Sequence, residues 1–103
     1  MNRRDIKKDI EYVIGEFLDD CALFSVLNPG KNVDKIWEIE EEAIALYNDL
    51  RNRINKPAVS VKKYDNKAQY AKETRAYYNT IAKDLFEKVD GLCEKLSEVI
   101  MEA

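Results

Sequence analysis

From Tyr64 to Val99 the chain places a seam at alternating intervals of four and three residues: Tyr64, Ala68, Ala71, Arg75, Tyr78, Ala82, Leu85, Val89, Leu92, Leu96 and Val99. A mean spacing of 3.5 keeps these positions on one face of a helix and on alternating faces of nothing else, so a strand is excluded throughout this stretch. Asp90-Gly91 is a turn signal inside it. The phase nevertheless passes from Val89 to Leu92 without a slip, as a continuous helix requires, with Gly91 costing about 1 kcal/mol. The spacing therefore predicts one helix over 65–101, about 55 Å long at about 1.5 Å per residue.

The rest of the chain carries the same period. A first helix is expected over 3–27, capped by Asn2 with Asp5 at the third position, and with a stripe of Ile6, Ile10, Val13, Phe17, Cys21 and Phe24 widened by Ile14 and Leu18. Asn28-Pro29-Gly30-Lys31 ends it, because proline disfavours helix at the preceding residue and Gly30 accepts positive φ. A second helix is expected over 33–55, capped by Asn32, with Asp34 favourably placed against the helix dipole and a seam of Val33, Ile36, Glu40, Ala43, Tyr47, Leu50 and Ile54. Lys56-Pro57 closes it and Ala58 to Lys63 forms the linker. The expected fold is all-α, an antiparallel up-down-up three-helix bundle with a long third helix, and 103 residues suffice for one domain, 1–103, with one core.

Unequal helix lengths point to association. The first two helices come to about 35 Å each, so part of the third overhangs. Leu85, Val89, Leu92, Leu96, Val99 and Ile100 are each worth about 1.5–3 kcal/mol on burial and need cover. Cys21 to Leu27 is likewise apolar on nearly all sides. These features predict a homodimer in which two three-helix units share a core through Leu23, Phe24, Leu27, Leu92, Leu96, Val99 and Ile100. The alternative is a chain that folds back at Gly91 into a monomeric four-helix bundle.

Histidine is absent, which removes Ser-His-Asp and Cys-His catalysis, Glu-x-x-His di-metal bundles and Cys₂His₂ zinc sites. Two cysteines make neither a zinc site nor a disulfide framework, so Cys21 and Cys93 read as reduced, buried core residues, and no metal, cofactor or catalytic residue is expected. Pro29-Gly30-Lys31 lacks the glycine, hydroxyl residue and strand of a phosphate loop and reads as a turn. Glu38, Glu41 and Glu42 read as a solvated face. Glu40 and Arg75 differ, since each interrupts an otherwise apolar seam. Counted from the shared end of an antiparallel pair they rise to about 21 Å and about 15 Å. They are expected to meet as a buried polar pair, with Asp20 as a third member, fixing register in the manner of a buried coiled-coil asparagine.

The net charge of −3 argues against a dedicated nucleic-acid binder, yet the segment from Arg51 to Arg75 holds eight basic and two acidic residues. Arg51, Arg53, Lys56, Lys62, Lys63 and Lys67 with Tyr70 and Tyr77 are candidates for tracking a polyanion, cations on phosphates and tyrosines on bases. The competing reading is that these charges offset the end of the second helix and pair with nearby acids. Arg51-Asn52 resembles the start of the Arg-Asn-x-x-x-His signature of the HEPN superfamily of helical ribonucleases and nucleotide-binding modules; Lys56 stands at the histidine position, so the resemblance does not extend to RNA cleavage. The longest apolar run, Cys21 to Leu27, is far short of the ~20 residues of a membrane span, and the basic start is not followed by an apolar leader core. The expectation is a cytoplasmic, non-enzymatic helical module for protein interaction or assembly, with no membrane contact; nucleic acid is the alternative partner.

Overall fold

A computed structural model describes residues 3–56 and 67–102. They form α1 (Arg3–Leu27), α2 (Val33–Asn55) and α3 (Lys67–Glu102), and every pair of helices is in contact. Among the described residues there is no strand. The continuous phase through Val89 and Leu92 is realised, since α3 runs its 36 residues without a break at Gly91. Asn2, Pro57 to Tyr64 and the first residues expected of the third helix lie outside the described residues, as do Lys62 and Lys63.

The turn between α1 and α2 is built as its residue types dictate, with one exception. Gly30 takes φ 77°, a left-handed conformation that only glycine adopts without strain. Asn28 donates both its backbone N–H (2.9 Å) and its side-chain amide (3.1 Å) to the Phe24 carbonyl, which α1 leaves without an intrahelical partner. Asn32 precedes α2 but is itself left-handed, with φ 50°, and makes no side-chain cap. Its amide instead donates to the Val99 carbonyl at 3.4 Å. The residue expected to close the start of α2 thus joins it to the end of α3.

Cross-helix polar contacts set the register. Lys35 pairs with Glu102, Lys95 with Glu42 at 2.9 Å, and Arg53 with Asp84 at 2.8 Å, so the start of α2 lies beside the end of α3. Arg3 donates to Asn55 (2.9 Å) and Arg51 pairs with Glu11 (2.7 Å), so the end of α2 lies beside the start of α1. Exposed pairs of this kind contribute about 0–1 kcal/mol each. The stabilising mass is the core beneath them.

That core contains Ile6, Ile10, Ile14, Phe17, Cys21 and Phe24 from α1, Ile36, Ile39, Ala43, Leu46, Leu50 and Ile54 from α2, and Tyr78, Ile81, Ala82, Leu85, Val89, Leu92, Leu96 and Val99 from α3. Two shifts separate it from the expected seams. In α2 the centre of the buried face runs through Ile39 and Leu46, which leaves Glu40 and Tyr47 half-buried on its flank and Val33 exposed. In α3 no residue before Tyr78 is buried. The overhang expected at the end of α3 is therefore at its beginning, where the seam positions are Ala68, Ala71 and Arg75 and offer no large apolar group to bury. Leu85, Val89, Leu92, Leu96 and Val99, expected to need a partner, are covered within the chain at 0–7% exposure.

Candidate functional site

Large exposed apolar groups concentrate at one pole. Of the ten on the described residues, seven lie where α1 and α3 end and α2 begins: Leu23, Val26 and Leu27 on α1, Val33 and Trp37 on α2, Ile100 and Met101 on α3. An open groove of about 570 Å³ runs between the last turns of α1 and α3 at this pole. Phe24 and Leu96, both buried, are part of its wall, with Leu23, Leu27 and Ile100 standing beside them at 57%, 68% and 46% exposure. Asp20, Asn28, Cys93 and Ser97 supply its polar atoms. The groove arises because α1 stays apolar around its circumference from Cys21 to Leu27, so that burying Cys21 and Phe24 necessarily leaves Leu23 and Leu27 outside.

Of the side chains expected to face a second copy, Leu23, Leu27 and Ile100 are exposed here, whereas Phe24, Leu92, Leu96 and Val99 belong to the chain's own core. The reason for shared burial is thereby met internally for those four. Trp37 and Met101 were not anticipated, Val33 was expected in the buried seam of α2, and Val26 entered only as part of the apolar run at the end of α1; only the knowledge that the three termini share a pole gathers them into one surface.

The expected meeting of Glu40 and Arg75 does not occur. Glu40 is half-buried, Arg75 is exposed, and no charged side chain is buried among the described residues. The cross-helix pairs explain this: they set Glu40 level with Ser97 and put Arg75 past the last residue of α2, about 33 Å away along α3. Asp20 is exposed, yet it and Glu40 do lie near one level, since both act on the Cys21 thiol. Burial first, then Glu40, Asp20 and Cys93, push that thiol from 9.0 up to about 11. Cys93, expected to be buried, is exposed; burial of its sulfur, followed by Asp90 and Asp20, raises its pKa too. Both cysteines are free, and carboxylates beside a thiol oppose the thiolate that nucleophilic chemistry requires.

Three of the eight residues proposed for a polyanion are engaged in holding the fold. Arg51 pairs with Glu11, donates to the Tyr47 hydroxyl at 3.1 Å and lies 5.6 Å from the centre of that ring. Arg53 pairs with Asp84 and reaches Asp49 at 3.9 Å. Tyr77 donates its hydroxyl to the Arg53 carbonyl at 2.7 Å, among the last-turn carbonyls that α2 cannot satisfy itself. Tyr70 is half-buried, and Lys56 and Lys67 are exposed. Arg51, Arg53 and Tyr77 thus have structural partners within the chain.

Among the described residues no group of three or more metal-ligating side chains comes together, and no helix is long and apolar enough to cross a membrane. The chain matches no family model, no curated protein and no solved structure.

Proposed function

We propose that this chain is a non-enzymatic interaction module, an up-down-up helical bundle that docks a protein partner at the pole where α1 and α3 end. The observation that carries the reading is the groove itself: Leu23, Leu27 and Ile100 stand exposed around an apolar wall in a protein whose other leucines are in its core or, like Leu18, packed against it. Contiguous exposed apolar surface of this kind is a mark of interaction sites, whereas scattered single residues need no explanation. The raised thiol pKa values and the absence of histidine support a binding role over a catalytic one.

Magnitudes indicate how large the contact must be. Fully burying an aliphatic side chain is worth about 1.5–3 kcal/mol, and these three are already about half covered, so together they supply roughly 2–5 kcal/mol. Association costs about 4–15 kcal/mol in lost freedom and ordering. A partner that fills only the groove would bind poorly; one that also engages the rim would bind well.

The test is a paired substitution, Leu27→Ser with Ile100→Ser, both at exposed positions. Nile red, a neutral dye that fluoresces in apolar surroundings, should bind the wild-type protein and lose most of its signal with the variant, whose circular dichroism and Tm stay unchanged. Equal dye binding by both proteins, or none by either, would remove the groove as a docking surface.

A further inference from the structure

The rim of the groove has a definite sign of charge. One turn before its lining residues, on the same flanks by helical spacing, stand Glu16 and Asp19 on α1 and Asp90 and Glu94 on α3, and Asp20 is itself part of the lining. All five are exposed. Glu16 accepts a hydrogen bond from Tyr12, but none of Asp19, Asp20, Asp90 and Glu94 takes part in an ion pair among the described residues. Two of the nearby cations are engaged elsewhere, Lys95 on Glu42 and Lys35 on Glu102; Lys31 is exposed in the turn that follows Asn28 and is a single positive charge against the five carboxylates.

The backbone adds to this potential. α1 and α3 both end at this pole and neither carries a basic residue in its last turn, so two helix termini direct their negative dipole ends towards it, eased in part by the Asn28 and Asn32 amides and by Lys35 beside Glu102. α2 begins there and contributes one positive end, already faced by Asp34. Cys93, within the groove, feels two of these carboxylates: after its burial, Asp90 from its own helix and Asp20 from α1 raise its pKa.

Resting on the docking reading above, we infer that the groove's occupant is a cationic amphipathic helix, with apolar side chains between α1 and α3 and Lys or Arg along its edges against the two acidic rims. The lining extends from Asp20 to Asn28 and from Cys93 to Ile100, about 12 Å, or two helical turns, on each wall. A trough of that length between two helices suits a third one, anchored at i, i+3 or i+4, and i+7. A second copy docked pole to pole would set like-charged rims against each other, which is unfavourable. The rim contacts of a cationic helix supply what the groove's apolar area alone lacks.

Two fluorescein-labelled helical peptides provide the probe, one with leucines at the anchor spacing and lysines on its flanks, the other with each lysine replaced by glutamate. Fluorescence anisotropy at low salt should give the lysine peptide an affinity at least about tenfold higher, a gap that narrows as added salt screens the rims. Asp20→Asn with Glu94→Gln should shrink the gap, and Leu27→Ser with Ile100→Ser should remove lysine-peptide binding. Equal binding of the two peptides would overturn the inference while leaving the docking surface intact. So would lysine-peptide binding that survives the serine variant, because it would report only general attraction to an acidic protein. Failure of both peptides with Nile red still bound, or self-association abolished by the serine variant and unaffected by either peptide, would also overturn it, the latter by putting a second copy in the groove. Loss of the dye result as well would bring down the docking reading itself.

Discussion

Cys21 shows how one atom can make the whole chain sensitive to pH. Its side chain is 0% exposed, and the folded protein holds the thiol proton up to about pH 11 where the unfolded chain releases it near 9.0. The folded state therefore binds more protons between those values. This contribution to stability is complete below pH 9 and is lost as pH rises towards 11, by about 2–3 kcal/mol for a shift of this size. Urea titrations at about pH 8 and about pH 11 should give a larger fall in unfolding free energy for the wild-type protein than for Cys21→Ala, in which lysines and tyrosines titrate but the thiol is gone. Equal falls would mean that the buried sulfur ionises as readily in the folded protein as in the unfolded chain. Tyr77 offers a second residue-level test: Tyr77→Phe removes one hydrogen bond to a helix-end carbonyl and should destabilise by about 0.5–1.5 kcal/mol in the same assay.

At the scale of elements, what a repeating pattern specifies and what only packing specifies come apart. Helix boundaries were legible because breakers stand where the helices stop, Asn28-Pro29-Gly30 and Lys56-Pro57, and the continuity of α3 was legible because its apolar phase never slips. Gly91 has ordinary helical conformation, and a methyl added there meets nothing within 4 Å. Gly91→Ala should accordingly stabilise by about 0.5–1 kcal/mol, read as a rise in Tm, through the unfolded chain's lost freedom. A fall in Tm would indicate a local break in α3. Register was not legible in the same way. Glu40 looks like a seam position on a 3–4 count, yet a rotation of the buried face towards Ile39 moves it to the flank, and the level of Arg75 depends on where α3 begins relative to α2, which no periodicity encodes. The small seam residues Ala68 and Ala71 were the sign that this end of α3 buries little. Combining Glu40→Ala with Arg75→Ala should give additive effects within about 0.5 kcal/mol; a larger coupling would require the two charges to be neighbours after all.

The whole molecule is a rod of 59 × 18 × 16 Å, about as long as α3 alone. Its radius of gyration is 17.2 Å, where a compact chain of this length would have about 13 Å. The two ends differ in kind. One gathers exposed leucine, valine, isoleucine and tryptophan beside a rim of exposed carboxylates; the other carries arginines tied into ion pairs and the opening turns of α3. Stability should be graded along the axis for the same reason. Lys67 to Ala76 contributes no side chain to the buried core and has only Tyr70 and Thr74 half-buried, and about three turns of helix with so little core packing are marginal in water because nucleation is costly and few bonds repay it. Ile81 to Val99 lies against two other helices, and its amides can exchange only when the core opens. Hydrogen exchange should therefore find the amides from about 71 to 76 exchanging through local fraying, at least about a hundredfold faster than those from 85 to 96, which follow the global unfolding free energy. Uniform protection along α3 would mean that its opening turns are packed as firmly as its centre, and the rod would then be one cooperative unit from end to end.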